Sequence, residues 1–346
     1  MRRLLLTGIR QMALQDAPLP AISSPHDVLI RVGAVGVCGS DVHYYTTGRI
    51  GSQVVQYPFA VGHEFGGVIE AIGTAVTRVR PGDRVAVDPA MPCFQCDQCR
   101  AGRCHTCRKL RFLGCPGQAE GCLADFIIMP ETSCFPLAPY HTLEQAALIE
   151  PLAIGAYAAK RAGELKGACV AILGCGPIGL SVLLAARQAG AVRIFVSEPV
   201  AARRDFAIRC GAVFGHAPTG NLVNEIMQCE PLGMDVVFEC CGQQSALDQS
   251  VELLKPGGRL MIVGIPEVEH VSFAIDPLRR REIGIQNIRR QNECVEAGAS
   301  LLDAFPELTN AMITHRFPPA RAQAAFDLVA ACRDGVIKAM IHFNQP

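Results

Sequence analysis

Short hydrophobic runs broken by glycine and proline dominate the first 150 residues of the chain. The clearest of these runs are Val28–Val35, Phe65–Ile72 and Arg84–Val87. Runs of this length that end at turn-forming residues predict β-strands rather than helices. A succession of such strands is typical of a small barrel-like β domain.

A different rhythm begins at about Lys166, where apolar runs alternate with segments of helical length. Alternation at this spacing predicts βαβ units and a parallel sheet, and short apolar runs fit strands buried on both faces. A turn is predicted at Lys255–Gly258. The other predicted elements are the strand Ala168–Leu173, the helix Pro177–Ala189, the strand Val192–Val196, a helix from Ala201, the strand Asp235–Phe238, the helix Ser245–Leu254 and the strand Arg259–Val263.

Length and composition indicate an α/β protein of two domains. A chain of 346 residues is too long for one ordinary core, and 50% hydrophobic against 18% charged residues argues against disorder. No further βαβ unit is apparent after about Ile288. We therefore predict a β-rich domain from residues 1–151, completed by 288–346, and a doubly wound parallel-sheet domain from 152–287.

The charge pattern narrows the range of partners. The formal net charge is zero and no basic stripe is present, which argues against nucleic acid as a partner. The apolar run at the start is too short for a signal peptide, and no segment is long enough to cross a membrane. We expect a cytoplasmic protein that acts on a small molecule.

A glycine-rich motif follows the first strand of the predicted parallel sheet. Residues 174–179 read G-C-G-P-I-G, which is the pattern G-x-G-x-x-G. Placed between a strand and a helix, this pattern is typical of a dinucleotide-binding turn, where the helix N-terminus faces the pyrophosphate. The alternative is a glycine-rich turn without a ligand. The candidate cofactor residues here are Gly174, Gly176, Pro177, Ile178 and Gly179.

An acidic residue is expected about 20 residues beyond this turn, and Glu198 occupies that place. A carboxylate there would accept hydrogen bonds from the ribose hydroxyls of NAD and repel the extra phosphate of NADP. Arg203 and Arg204 follow closely, and either one could bind a 2′-phosphate instead. The sequence favours NAD.

Seven of the 17 cysteines crowd into residues 93–122. Two-residue gaps between cysteines let successive thiolates reach one Zn²⁺ ion, and four thiolates leave no place for a substrate, so this site would be structural. The alternative is a set of unpaired surface thiols. Cys104 competes for the fourth position, and the candidate ligands are Cys93, Cys96, Cys99 and Cys107.

Other candidate metal ligands are dispersed along the chain. Cys38 offers a thiolate, the pair His63–Glu64 offers an imidazole and a carboxylate, and Glu150 offers a second carboxylate. An open, catalytic metal site needs scattered ligands of these types. None of these residues is specific by itself, because a lone His or Cys is more often part of a core.

Together these motifs resemble the zinc-containing medium-chain dehydrogenases, and the sorbitol (polyol) dehydrogenase branch in particular. The segments Cys38–His43 (C-G-S-D-V-H) and Gly62–Gly67 (G-H-E-F-G-G), the cysteine lobe and the G-x-G-x-x-G turn occur in the family's order over nearly the whole chain. The matching stretches also include Gly48–Gly51, Glu150–Leu152 and Asp334–Ile341.

The resemblance implies a GroES-like catalytic domain, a Rossmann domain that binds NAD, two zinc ions per chain and a homo-oligomer, either tetramer or dimer. It implies that Cys38 and His63 bind the catalytic zinc. The third ligand is Glu64 or Glu150, and the sequence leaves that choice open. By position, the loop residues expected to contact the cofactor are Gly242, Val263, Gly264 and Ile265.

The resemblance also assigns roles around the catalytic zinc. Ser40 and His43 occupy proton-relay positions, and Asp41 would hold a zinc-bound imidazole. Tyr44 and Arg49 would line the substrate pocket.

A substrate-binding arginine is expected after the last Rossmann strand, at Arg290. The family usually has an aromatic residue on each side of it, whereas this chain has Arg289 and Gln291. A more polar and basic pocket favours a longer polyol or an acidic sugar derivative.

The expected reaction is the NAD-linked oxidation of a secondary alcohol of a polyol or sugar derivative to a ketose or keto product. A threonine or simple alcohol dehydrogenase is the nearest alternative. A non-catalytic zinc and Rossmann binding protein is the alternative from another class.

Overall fold

The structure is a computed structural model that describes residues 1–218 and 220–343. Its strands, in chain order, are β1 (Arg2–Gly8), β2 (Gln11–Asp16), β3 (Asp27–Gly36), β4 (Arg49–Ile50), β5 (Gln53–Val54), β6 (Glu64–Ile72), β7 (Arg84–Val87), β8 (Ala90–Met91), β9 (Arg111–Phe112), β10 (Phe126–Pro130), β11 (Cys134–Pro136), β12 (Cys169–Leu173), β13 (Arg193–Ser197), β14 (Phe214–His216), β15 (Met234–Glu239), β16 (Leu254–Ile262), β17 (Gly284–Asn287), β18 (Ile313–Phe317) and β19 (Lys338–His342).

Its α-helices are α1 (Gly39–Thr47), α2 (Asp97–Arg100), α3 (Leu143–Ala162), α4 (Pro177–Gln188), α5 (Ala201–Arg209), α6 (Leu222–Cys229), α7 (Gln244–Leu253), α8 (Ile275–Arg280), α9 (Val295–Ala304), α10 (Pro306–Met312) and α11 (Ala322–Ala330). In the described part of the chain, no helix is both long enough and apolar enough to cross a membrane.

The chain forms two compact units, one from residues 1–150 and 309–346 and the other from 151–308. The first unit is built on a seven-stranded sheet with the order β11-β7-β6-β3-β19-β18, in which β10 also pairs with β3. Strand β3 pairs antiparallel with β6, β10 and β19 and is therefore the centre of the sheet. Its backbone is paired on both edges, and most of its apolar side chains are buried.

The second unit confirms the predicted doubly wound sheet. Its six strands are all parallel, in the order β14-β13-β12-β15-β16-β17. The chain starts at β12, winds outward to β14 and then returns to build β15 to β17 on the other side. In such sheets ligands bind at the carboxyl ends of the strands, where the winding reverses, which here is between β12 and β15.

The end of the chain differs from the prediction in two ways. Strands β18 and β19 are parallel, with α11 between them, so the tail does contain one more βαβ unit. Residues 288–308 belong to the second unit, whereas the sequence assigned them to the first. The reason is packing: Gln188 donates a hydrogen bond to Ser300 (3.1 Å), and the Arg187 guanidinium lies 5.0 Å from the Phe305 ring centroid.

Two further elements were missed or only partly predicted. The turn at Lys255–Gly258 is a bulge inside β16, because the pairing with β15 skips from Leu254 to Arg259. Helix α3 was not predicted. It contains Pro151, a residue that in a sequence usually marks a helix end.

We predict that Gly121→Ala destabilises the first unit. A Cβ atom on Gly121 would lie 2.1 Å from the carbonyl oxygen of Val61, a backbone atom that cannot rotate away. We expect a loss of about 2 kcal/mol or more in the free energy of unfolding, measured by urea denaturation. Gly220→Ala is the control, because nothing lies within 4 Å of its Cβ position. Equal stability of the two variants would contradict the packing described here.

Candidate active site

Three candidate metal ligands meet where β3 ends and β6 begins. Gly36, the last residue of β3, pairs with Glu64, the first residue of β6. This register brings Cys38, just after β3, beside His63 and Glu64. One ligand atom from each of the three side chains lies within 4.8 Å of the other two. The cluster combines a thiolate donor, an imidazole and a carboxylate.

The surroundings of His63 favour positive charge. Its Nδ1 lies 3.3 Å from Asp41 Oδ1, which also accepts a hydrogen bond from the Gly62 amide (3.2 Å). Burial lowers the pKa of His63, but Asp41 and Cys38 outweigh burial and raise that pKa well above its usual value. The negative potential that retains a proton here would also attract a divalent cation. Asp41 thus holds the imidazole as predicted for a metal ligand's partner.

Glu64 is bound by a residue that the sequence analysis did not identify. Both of its carboxylate oxygens accept hydrogen bonds from Lys338 Nζ, at 2.9 and 2.6 Å. Burial lowers the pKa of Lys338, while Glu64 and Cys38 raise it, with a net increase. A lysine within the apolar run Val336–Ile341 was the available signal, because a fully buried lysine requires an anionic partner.

Glu150 lies in α3, close enough to interact electrostatically with His63, Glu64 and Lys338. It is outside the three-residue cluster. Its Oε2 is buried and has no hydrogen-bond partner within residues 1–218 and 220–343. Burial, more than any neighbour, raises its pKa to about 7. A buried carboxylate oxygen without a partner next to a thiolate and an imidazole fits a metal ion.

The other predicted residues of this site are distributed along α1 and the hairpin after it. Ser40 Oγ donates to Cys38 Sγ at 3.3 Å, and His43 is half-buried one turn further along α1. Tyr44 is buried and its hydroxyl donates to Gln53 (3.1 Å). Arg49 is exposed, and its guanidinium donates to the carbonyl of Gly51 in the same hairpin.

Phe112 is a second residue beside Cys38, His63 and Glu64 that the sequence did not indicate. Its ring centroid lies 5.4 Å from that of His63. It belongs to the short strand β9 that follows the cysteine lobe. No local pattern distinguishes this phenylalanine from a core residue.

The four cysteines of the lobe converge. Ligand atoms of Cys93, Cys96, Cys99 and Cys107 all lie within 4.8 Å of one another, and Cys104 is outside this group. The amides of Cys93 and Lys109 donate to Cys107 Sγ, both at 3.3 Å. Amides that donate to the sulfur, from Arg108 and Cys99, lower the pKa of Cys96 to about 6. Burial and the neighbouring thiols raise the pKa of Cys99 to about 12, so the cysteines do not ionise equally, and it is the convergence of four sulfur atoms that fits Zn²⁺.

The glycine turn has the geometry of a dinucleotide site. Gly174 follows β12 with a φ of 97°, which favours glycine, and Gly176 is the N-cap of α4 with Pro177 in its first turn. A Cβ atom on Gly179 would lie 1.8 Å from the Gly174 carbonyl oxygen, so only glycine allows this close packing. Ile178 is half-buried in the same turn.

Glu198 lies beside that turn, just after β13. Its carboxylate accepts hydrogen bonds from the amides of Cys175 (2.8 Å) and Val200 (3.0 Å). Arg204 Nη1 donates to the carbonyls of Glu198 and Pro199, at 2.6 and 2.7 Å. Arg203 is mostly buried, and its Nη1 would lie 3.9 Å from a Cβ atom placed on Gly176.

The remaining predicted residues of the second unit lie at loops after β15, β16 and β17. Gly242 follows β15 with a φ of 71°, and Val263, Gly264 and Ile265 follow β16. Arg290, after β17, is half-buried with a φ of 55°. A positive φ at a residue other than glycine is uncommon and occurs often at functional loops.

Comparisons with known proteins agree with this geometry. The family model of the alcohol dehydrogenase GroES-like domain matches residues 24–139, and that of the zinc-binding dehydrogenase matches residues 177–304. A sorbitol dehydrogenase of Bacillus subtilis (strain 168) is 34% identical, over 100% of this chain and 98% of that protein. An L-idonate 5-dehydrogenase of Vitis vinifera is 35% identical, over 90% of this chain and 86% of that protein.

The solved structures include a protein described as a zinc-binding dehydrogenase from Sinorhizobium meliloti 1021, bound to NADP. It superimposes with a TM-score of 0.90 at 30% identity, over 99% of this chain and 98% of that one. Matches of this length confirm the family that the motifs indicated. The chain belongs to the zinc-dependent medium-chain dehydrogenases and is related to their polyol dehydrogenases.

Proposed function

We propose that the protein is a zinc-dependent dehydrogenase that transfers hydride from a secondary alcohol of a polyol or sugar derivative to NAD, giving a ketose or keto product. The observation that carries this proposal is the cluster of Cys38, His63 and Glu64. The same chain contains a Rossmann sheet with a complete dinucleotide turn. The sorbitol and L-idonate dehydrogenases among the relatives support the substrate class.

In this proposal Cys38 and His63 hold the catalytic zinc together with one carboxylate. Bound zinc would lower the pKa of a coordinated hydroxyl group towards neutrality. Glu64 is already neutralised by Lys338, whereas Glu150 retains a buried oxygen without a partner. We therefore favour Glu150 as the carboxylate that enters the shell, with Glu64 as the group that sets the local potential.

Ser40 and His43 are proposed to move the proton of the substrate alcohol. The Ser40 hydroxyl is next to the Cys38 sulfur, so it can accept a proton from a hydroxyl near the metal. His43 is half-buried, like Ser40, and lies one turn further along the same helix, so it can pass the proton towards solvent. Tyr44 and Arg290 are proposed to contact the substrate. The Arg49 guanidinium donates two hydrogen bonds to the Gly51 carbonyl, so it is less available to a substrate.

We propose NAD as the cofactor, with Gly174–Gly179 at the pyrophosphate, Glu198 at the adenosine ribose, and Gly242, Val263, Gly264 and Ile265 at the nicotinamide end. The bound cofactor would accept the hydride. Glu198 is buried beside the turn, where its charge disfavours a 2′-phosphate. Arg203 is the residue nearest the turn that would favour NADP.

A second, structural zinc is proposed in the lobe of Cys93, Cys96, Cys99 and Cys107.

We also propose a homo-oligomer, a dimer or tetramer, in the cytoplasm. Strand β17 is an edge strand with Ile285 exposed, and Ile275 of α8 is 72% exposed. Unprotected sheet edges with exposed apolar residues favour pairing with another chain. None of the 17 cysteines, all of which lie in the described residues, forms a disulfide, which supports a reducing compartment.

A panel of substrates and cofactors tests the proposed reaction. We predict that kcat/KM for sorbitol, xylitol or an aldonate exceeds that for propan-2-ol at least about 100-fold, because polar pockets discriminate strongly between hydroxylated and apolar substrates. NAD should exceed NADP at least about tenfold, since Glu198 repels a phosphate. Both ratios follow from NADH or NADPH absorbance at saturating zinc.

Two results of this panel would contradict the assignments. If threonine or propan-2-ol were the best substrate, the protein would be a threonine or simple alcohol dehydrogenase and not a polyol dehydrogenase. NADP used as well as NAD would make Arg203 or Arg204 a phosphate ligand and would refute the role of Glu198.

The cysteine lobe is tested by Cys96→Ser. We predict a loss of about one of two zinc ions per chain, measured by elemental analysis, together with a lower thermal midpoint, because structural zinc contributes folding free energy. Cys104→Ser is the matched control: the same change in the same lobe, outside the four-cysteine group, should leave both zinc ions bound. A stable Cys96→Ser protein with two zinc ions would refute the structural site.

The third ligand is tested by Glu150→Ala. We predict that kcat falls at least about tenfold, or roughly 1.4 kcal/mol of barrier, with partial loss of the catalytic zinc. Glu144→Ala is the control on the same helix. It removes a carboxylate that pairs with Arg316, so it should lower stability while zinc content and kcat persist. Full activity and full zinc in Glu150→Ala would leave Cys38, His63 and Glu64 as the protein ligands.

A further inference from the structure

Glu239 is a buried acidic residue that the proposed mechanism does not use. It is the last residue of β15 and is fully buried. The amide of the next residue, Cys240, donates to the carbonyl of Leu173 at the end of β12 (2.8 Å). Glu239 therefore lies at the carboxyl edge of the two strands between which the winding of the sheet reverses, where such sheets bind their ligands.

Glu239 joins the two loops that leave this edge. Its Oε1 accepts hydrogen bonds from the amides of Cys241 (2.8 Å) and Gly242 (2.5 Å). Its backbone carbonyl accepts hydrogen bonds from the amides of Val263 (2.8 Å) and Gly264 (2.9 Å). One residue thus binds four backbone amides and fixes the loop after β15 against the loop after β16.

The two loops leave no room for adjustment around this carboxylate. A Cβ atom on Gly264 would lie 2.4 Å from the Gly242 nitrogen and 2.8 Å from Glu239 Oε2. A Cβ atom on Gly242 would lie 2.4 Å from the carbonyl oxygen of Ile265. The two loops therefore pack directly against each other and against the carboxylate, without room for side chains at Gly242 and Gly264.

The second oxygen of Glu239 has no partner. Its Oε2 is buried and forms no hydrogen bond within residues 1–218 and 220–343, and the Cys241 thiol, which interacts with this carboxylate, supplies no positive charge. Burying a carboxylate is costly unless something compensates its charge. In Glu198, by contrast, each carboxylate oxygen accepts a hydrogen bond from a backbone amide.

A dinucleotide would compensate this charge unequally in its two redox forms. Doubly wound sheets consist of two mononucleotide-binding halves, and Glu198 after β13 marks the half proposed for adenosine. Strands β15 to β17 form the other half, which leaves it for the nicotinamide. The oxidised nicotinamide ring carries a positive charge and the reduced ring is neutral, so only the oxidised form is attracted by a nearby carboxylate.

We propose that Glu239 is a positioning residue for the nicotinamide half of the cofactor site, and that its negative charge favours the oxidised dinucleotide over the reduced one. The inference rests on the proposed function, because it takes NAD to be the cofactor. It assigns to one side chain both the placement of two loops and a bias of the bound cofactor towards the form that accepts hydride.

The test measures the dissociation constants of NAD⁺ and NADH separately, by isothermal titration calorimetry on the zinc-loaded protein without substrate. Glu239→Gln removes the charge and nearly keeps the shape. We expect it to weaken NAD⁺ binding at least about fivefold more than NADH binding, an effect of the size that one partly screened charge produces.

Glu198→Gln is the matched control. It neutralises a second buried carboxylate in the same unit, but on the half proposed for adenosine, which is identical in NAD⁺ and NADH. It should weaken both forms by the same factor. An equal effect of Glu239→Gln on NAD⁺ and NADH, or no effect on either, would overturn the inference while leaving the proposed function intact.

Glu239→Asp keeps the proposal testable if the glutamine variant does not fold. It retains the charge but shortens the side chain by one methylene, so the hydrogen bonds to the loop amides should be lost. We expect both dissociation constants to rise at least about fivefold, with their ratio within about twofold of wild type. Wild-type affinity for both forms would overturn the positioning role. A wild-type chain that binds neither dinucleotide would refute the proposed function itself.

Discussion

The buried ion pair between Lys338 and Glu64 is the interaction on which the arrangement of the first unit depends. Both side chains are almost fully buried, and 274 residues separate them in the sequence. A buried acid or base left alone is strongly destabilising, so each residue requires the other to be in place. The pair therefore fixes β19, at the end of the chain, in a sheet otherwise built from the first 150 residues.

The same ion pair also determines the charge around Cys38, His63 and Glu64. Glu64, Glu150, Asp41 and Cys38 would otherwise concentrate negative charge in one buried corner. Lys338 neutralises one of these carboxylates, and it also holds Glu64 beside Cys38 through its contact with the carbonyl of Val37 (3.3 Å). What remains is a thiolate donor, an imidazole next to Asp41, and the Asp41 and Glu150 oxygens that accept no hydrogen bond from the described residues. This remaining charge suits a divalent cation better than it would suit further protein groups.

The sequence predicted those parts of the fold that local patterns determine. The strands of the parallel sheet are short apolar runs between glycines, and the turn at Gly174–Gly179 requires glycine for steric reasons, so both could be predicted before the structure was known. Strand β18 has an alternating, half-exposed pattern that does not resemble a buried parallel strand, and the βαβ unit it begins was therefore missed. No sequence pattern in residues 288–308 indicates the unit in which they pack.

The side chains that converge at the two candidate metal sites were predictable, but the residues around them were not. Cys38, His63 and the four-cysteine lobe have characteristic spacings. Lys338 contacts Glu64 and Phe112 contacts His63 only in the folded chain. Spacing along the sequence therefore could not indicate these contacts. Glu150 was assigned to a junction segment, yet it lies within α3, because Pro151 is tolerated inside that helix.

The buried carboxylates of this protein are compensated in different ways, and the difference indicates where ligands belong. Glu64 is paired with a lysine, and each carboxylate oxygen of Glu198 accepts a hydrogen bond from a backbone amide. Asp41, Glu150 and Glu239 each keep one buried oxygen that accepts no hydrogen bond from the described residues, whereas Glu225 Oε2, buried likewise, lies 2.9 Å from His216 Nε2. Because an uncompensated buried charge is unfavourable, such an oxygen requires either a bound proton or a cation from outside the chain. The oxygens of Asp41 and Glu150 lie beside Cys38, His63 and Glu64 in one unit, and that of Glu239 lies at the reversal of the sheet in the other. These are the places that the proposed chemistry assigns to a metal cation and to an oxidised nicotinamide.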